Sequence, residues 1–286
     1  MGPLIGVLFD GFAYGMLLFL LSVGLSVTLG MMNFVNLAHC AFAMLGGYVT
    51  VTLMNVLGWP FFAAIPMAFV AAAAVSVVLE RVLYRRLYQA GELDHVLLTI
   101  GLAFISVAMA AYIFGTLQQP IQTPSFLRGS IYVAGITIGI YRAFLVITGL
   151  LVAALLVLTL EYTRFGAKVR AAVDNQRMAR GLGINVDATF AITFALGSGL
   201  AGLGGALAIE IVGLDPSFAF LYLVYVLIVV SVGGLGSIWG SFVAAALIGI
   251  SDVAGKYYVP ELGAFLIYLV MIVLLMWRPQ GLFGKR

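Results

Sequence analysis

Asn33, Asn36 and His39 are spaced i, i+3 and i+6 inside the otherwise apolar stretch MNFVNLAHCAFAMLGGYV, from Met32 to Val49. On a helix that spacing gathers the three polar side chains into one broad sector at its start. Polar groups in an apolar environment either find a partner or face water. The triad therefore reads in two ways, as the lining or gate of a translocation route, or as interhelical hydrogen bonding and helix capping. Neighbouring Cys40, small and flanked by alanines, reads as a packing residue.

Chemistry of other kinds finds little material. The nearest approach to a phosphate-binding loop, Gly249 to Lys256 (GISDVAGK), has five residues between its glycines instead of four and is followed by Tyr257. No Ser/His/Asp, Cys/His or metal-ligand constellation is present; two histidines leave little material for a metal site, and the lone Cys40 excludes an intrachain disulfide. The expectation is a chain with no catalysis, no metal and no cofactor of its own.

The elements that position these residues are set by composition. Of 286 residues, 64% are hydrophobic and 9% charged, with a mean hydropathy of +1.17. Soluble domains carry about 25% charged residues, so this is an all-α polytopic membrane protein. With roughly 20 apolar residues per span, helices fall near Phe12–Gly30, Asn33–Leu57, Phe61–Glu80, Val96–Phe114, Arg142–Glu161, Ala188–Val212, Leu221–Gly233, Trp239–Ala254 and Leu262–Trp277. About nine spans result, within a range of eight to ten, in a single transmembrane domain over 1–286. The N-terminal MGPLIGVLFDGFAYG has no basic region ahead of its apolar run, as a cleavable signal peptide would.

Basic residues orient the spans. Arg81, Arg85 and Arg86, the tail Arg278, Lys285 and Arg286, and the island Glu161 to Asp187 should share the cytoplasmic side. The island holds eight of the chain's 25 charged residues. Nine alternating spans then leave the N-terminus outside, whereas one re-entrant element around Gly233 to Trp239 would move it inside. The net charge of +3 reflects this topology and not nucleic-acid binding. The longest outer loop, 115–141, contains SIYVAGITIGI, whose alternation around Ala134 and Gly135 suggests a hairpin. That loop is either a docking surface or an ordinary loop lying on the helix ends.

Glycines four apart (Gly11 with Gly15, Gly197 with Ala201 and Gly205, Gly236 with Gly240) let helices pack closely. Denser clusters, GLAGLGGALA (Gly199 to Ala208) and GGLGSIWG (Gly233 to Gly240), have enough glycine to break or distort a helix, which is tolerated where a cavity is lined. Asp10, Glu210, Asp215 and Asp252 all fall near outer helix ends, within reach of water. No carboxylate stands near the midplane, where an ion-driven carrier would place one.

If the chain transports actively, its energy comes from another subunit. The island suits that role: Thr163 to Gly181 is rich in helix formers, Gly181 and Gly183 can end the helix, and Asn185 or Asp187 can cap the next span. Such a helix, carrying Phe165, Val169 and Val173, would either enter a groove on an ATPase or lie on anionic lipid.

Three motifs together resemble the permease subunits of branched-chain amino acid ABC importers, specifically the LivH-type half. They are GLSVTLGMMNFVNLAHCAFAMLGGY (Gly24 to Tyr48), LLTIGLAF (Leu97 to Phe104), and the stretch from TRFGAKVRAAVDNQRMARGLGINV (Thr163 to Val186) through GLAGLGGALA to VGGLGSIWGSFVAAALIGI (Val232 to Ile250). Cys40 departs from the glycine often found at its place. The resemblance implies a multi-pass subunit of a bacterial or archaeal cytoplasmic membrane, paired with a homologous second permease. Two cytoplasmic ATPases and an external solute-binding protein would complete the assembly, with membrane lipid around it. It also implies that 161–187 is the coupling region, with Arg164, Gly166, Arg170 and Asn175 on the docking helix and Ala179 and Gly183 in the turn behind it. A translocation pathway would run near Asn33, Asn36, His39, Gly46, Gly47, Gly234, Gly236 and Ser237. The competing reading from a different class is a stand-alone secondary carrier or facilitator.

Overall fold

The computed structural model describes residues 2–32, 36–86, 91–133 and 136–284. Apolar segments become helices because backbone polar groups in lipid must be satisfied within the segment itself. In chain order they are α1 (Gly2–Met32), α2 (His39–Asn55), α3 (Phe61–Val82), α4 (Glu92–Phe114), α5 (Ile140–Tyr162), α6 (Arg164–Asp174), α7 (Gln176–Gly181), α8 (Val186–Val212), α9 (Phe218–Gly233), α10 (Ile238–Tyr258) and α11 (Gly263–Trp277). Among the described residues, α1 to α5, α8 and α10 are long and apolar enough to cross a bilayer. Apolar α9 and α11, with 16 and 15 residues, are shorter. At 1.5 Å per residue they reach only about 24 and 22 Å. The two strands β1 (Ser130–Val133) and β2 (Ile136–Gly139) form the expected antiparallel hairpin, with Val133 opposite Ile136. Its turn at Ala134 and Gly135, like Asn33, Lys285 and Arg286, lies outside the described residues.

Contacts divide the bundle into two ends. At one, Asp10 of α1 pairs with Arg142 at the start of α5, Asn55 donates to the carbonyl of Pro120 (2.9 Å), and the Gln119 N–H donates to Leu214 O (2.8 Å). At the other, Gly30, Leu160, Arg170, Gly236 and Phe283 surround one cavity of about 590 Å³, and Arg85 pairs with Asp187. The basic island and the arginines before it share this second end, so it is the cytoplasmic one. Gly236 packs on Gly30 at the end of α1, so the turn between α9 and α10 stands at the cytoplasmic end with separate helices on both sides of it, and not within a single re-entrant element.

Helix α1 is the axis of the bundle. Met16 to Leu21 are fully buried on every side, which an apolar-all-round sequence permits, and α5, α8, α9 and α10 pack about it. The cluster Gly199 to Ala208 leaves α8 unbroken. A Cβ on Gly197 would lie 2.8 Å from the Gly24 carbonyl of α1, one on Gly202 would lie 2.8 Å from the Ala68 carbonyl of α3, and one on Gly205 would overlap the Ala43 carbonyl of α2. Three neighbouring helices thus take the space that side chains would fill, and this packing offsets the roughly 1 kcal/mol by which glycine disfavours a helix.

The break falls instead in the second cluster, at Gly234 and Gly236, whose φ angles of 95° and 78° suit glycine. Beyond α11 the chain folds back beneath this turn. The N–H groups of Leu282 and Phe283 donate to the carbonyls of Val232 (2.7 Å) and Gly233 (3.1 Å), satisfying two acceptors that the end of α9 leaves open.

Candidate functional site

The Met32–Val49 stretch does not continue as one helix from Asn33, because α2 begins only at His39. His39 Nε2 lies 3.0 Å from the carbonyl oxygen of Leu21, so Nε2 carries the proton and donates. Leu21 is nine residues before Gly30 on α1, or about 14 Å further into the membrane. The start of α2 is therefore deep in the bundle, and residues 36–38 just before it are not helical. Polar side chains serve that backbone: Asn36 Oδ1 accepts from the Ala38 N–H (3.0 Å), and Thr99 Oγ1 of α4 accepts from the Leu37 N–H (3.1 Å). Asn36 and His39 are both buried, and Asn36 Nδ2 has no partner among the described residues.

The remaining expected pathway residues lie at two other places. Gly46 and Gly47 face α8 and the residues beyond it, where a Cβ on Gly46 would overlap the backbone of Gly202 and one on Gly47 would meet Leu214. Gly234, Gly236 and Ser237 form the cytoplasmic turn, with Ser237 Oγ capping α10 by accepting from the Gly240 N–H (2.9 Å). The structure thus brings Asn36 and His39 together and keeps both groups of glycines apart from them.

The island folds into two helices where one had been expected from Thr163 to Gly181. Three side-chain caps set the boundaries: Thr163 accepts from Gly166 N (3.4 Å), Asn175 from Met178 N (2.9 Å) and Asn185 from Ala188 N (2.9 Å). At Asn175 the amide side chain competes with helix continuation, as such residues do. The bend lets Ala172 of α6 and Ala179 of α7 share one buried cluster with Val186 and Phe190 of α8. Gly183, at φ 81°, closes the turn behind α7, and the Ile184 N–H donates to Ala179 O (3.0 Å).

This elbow is tied to three spans. Gly166 packs directly on the backbone of Leu160 in α5, and the Arg170 guanidinium donates to the Leu160 carbonyl. Asp187, in the first turn of α8, pairs with Arg180 (3.0 Å) and with Arg85, three residues past the end of α3. Arg164 and Asn175 remain exposed, as do Lys168 and Arg177. Val169 points inward, and the exposed apolar surface comes from Val173, Met178 and Leu182. Met178 and Leu182 flank buried Ala179, an i, i+4 pattern that the sequence contains but that a single long helix would have placed differently. Among the described residues no group of His, Cys, Asp and Glu could hold a metal ion. Among the described residues the arrangement is an exposed elbow tied to three spans and a buried polar junction at Asn36 and His39.

The sequence matches the family described as branched-chain amino acid transport system / permease component over residues 7–275. It is 26% identical over 294 residues to the high-affinity branched-chain amino acid transport system permease protein LivH of Escherichia coli K12, covering 97% of this chain and 94% of that one. It is 27% identical over 284 residues to the probable LivH permease of Methanocaldococcus jannaschii, covering 95% and 90%. The LivM permease of Salmonella typhimurium is 26% identical over 290 residues, covering 93% and 68%. No solved structure matches.

Proposed function

Since the chain belongs to the branched-chain amino acid transport system / permease component family, we propose that it forms half of the translocation pathway of an ATP-binding cassette importer and performs no catalysis itself. It is a multi-pass protein of the cell's inner membrane. Similarity to both LivH and LivM permeases supports pairing with a homologous second permease. Two cytoplasmic ATPases would supply the work, an external binding protein would deliver the solute, and the cargo is a branched-chain amino acid or a related small organic solute.

The observation that carries this reading is the elbow of α6 and α7. It presents a basic and apolar surface to the cytoplasm while being fixed to α3, α5 and α8, so a push on it reaches three spans at once. Arg164, Gly166, Arg170, Asn175, Ala179 and Gly183 divide the work. Gly166, Arg170, Ala179 and Gly183 hold the elbow in shape, whereas Arg164 and Asn175 face the ATPase with Met178 and Leu182. Asn36 and His39 at the start of α2 line the route, and the glycine pairs allow the surrounding helices to slide.

Reconstitution tests the reading. Uptake into proteoliposomes should require ATP, the ATPase subunits and the binding protein together. Solute flux by this chain without ATPase subunits or ATP would instead establish a secondary carrier or facilitator.

A further inference from the structure

The outer end of the bundle holds a cavity of about 440 Å³ between α1, α5, α8, α9 and α10, where Asp10, Tyr14, Arg142, Tyr222, Asp252 and Lys256 converge. Asp252 had been expected within reach of water, but its side chain is only 3% exposed. One of its oxygens accepts from Lys256 Nζ at 2.6 Å, and the other, Oδ1, is buried without a partner among the described residues. Asp10 repeats the pattern, with one oxygen paired to Arg142 and a buried Oδ1 unpaired. Buried acceptors left open are rare and call for an explanation.

The two cations are the converse. Lys256 and Arg142 are 54% and 43% exposed and each spends part of its donor capacity on a carboxylate, although an ammonium has three N–H donors and a guanidinium five. The cavity therefore has spare acceptors at depth and spare donors at its rim. Its formal charge is balanced, so a ligand of either net charge would leave one pair uncompensated in a poorly hydrated place. A molecule carrying both an ammonium and a carboxylate meets both needs and keeps the balance. Leu145, Leu221 and Val253 supply apolar wall beside these groups.

We propose that this outer cavity binds the zwitterionic head of a free α-amino acid, its ammonium on the open oxygens of Asp252 and Asp10 and its carboxylate on Lys256 and Arg142. The site lies away from the Asn36–His39 junction. Its place in the transport cycle, as a stop between the external protein and the pathway, rests on the importer reading, but the binding itself does not.

The test is equilibrium binding to the full chain in lipid nanodiscs without nucleotide. L-Leucine is compared with 4-methylpentanoate, which lacks the ammonium, and 3-methylbutylamine, which lacks the carboxylate. Each analogue should bind at least tenfold more weakly than L-leucine. Asp252→Asn should narrow the gap between L-leucine and 4-methylpentanoate, and Lys256→Met the gap between L-leucine and 3-methylbutylamine. A purely structural role for either residue would leave both gaps unchanged. Lys256 is half-exposed, so its variant remains informative if the Asp252 variant does not fold. Equal binding of all three compounds, or unchanged gaps in folded variants, overturns the proposal. So does loss of external-protein docking in Lys256→Met with unaltered amino acid discrimination. Glycine and L-phenylalanine share the head and differ in side chain. Asp252-dependent binding of either one upholds the site even if L-leucine is not the cargo. If no amino acid binds, the site fails while ATP-driven uptake stands or falls separately.

Discussion

Gly166→Ala is the smallest change that separates coupling from assembly. A Cβ at Gly166 would overlap the Leu160 carbonyl oxygen and lie 2.7 Å from Leu160 Cα, where carbon atoms sit comfortably at about 3.5–4.0 Å. Helix α6 must retreat from α5 by roughly 1 Å to make room. Overpacking of this kind destabilises by about 1–3 kcal/mol. The retreat also stretches the Arg170 bond to Leu160, worth about 1 kcal/mol for a half-exposed charged donor. The sum, about 2–4 kcal/mol, matches or exceeds typical coupling free energies of about 1–3 kcal/mol. Because Leu160 and the start of α8 remain anchored in their own spans, insertion and pairing with a second permease should be retained. Solute accumulated per phosphate released, measured in proteoliposomes holding the complete importer, should fall at least tenfold, the equivalent of about 1.4 kcal/mol or more. Gly181→Ala is the control: it lies in the same elbow, with open space where its Cβ would go, and should leave the ratio unchanged. A wild-type ratio for Gly166→Ala, or an equal fall for Gly181→Ala, would refute the lever.

Gly46→Val should reduce the yield of folded protein sharply, since its side chain would enter the backbone of Gly202; detergent-stable monodisperse material in normal amount would contradict the packing. Asn36→Leu should lower uptake more than yield, and the reverse would assign Asn36 to helix capping alone. His39→Leu should lower the thermal unfolding midpoint by the equivalent of about 1 kcal/mol through loss of the bond to Leu21, with His39→Gln restoring part of it. Asp187→Asn should change stability by less than about 1 kcal/mol because its arginine partners are exposed, yet reduce uptake at low salt by freeing the elbow from α3; unaltered uptake at every salt concentration would count against that tie.

Span existence and order were readable in the sequence because each apolar run had to become a helix, and the arginines around Arg85 and in the island marked their side. Boundaries set by a few hydrogen bonds were not readable. Helix formers from Thr163 to Gly181 indicate one helix, but the fold gains more from facing both Ala172 and Ala179 toward Phe190, and the Asn175 cap permits the bend. Glycine density from Gly199 to Ala208 suggested a broken helix, whereas three close neighbours hold it straight. The start of α2 at His39 was not readable, because the carbonyl that receives its imidazole belongs to distant Leu21. Burial of Asp252 depends on Tyr14 and Tyr222 from other helices, which the local sequence does not reveal.

The return of Leu282 and Phe283 to the end of α9 bears on how the protein is made. These residues leave the ribosome about 50 positions after Gly233, or roughly 3–10 s later at ordinary elongation rates. Throughout that interval the carbonyls of Val232 and Gly233 must be held by water or by the insertion machinery, and the turn that meets Gly30 has no floor. This contact at the cytoplasmic end therefore forms only after α10 and α11 have been made.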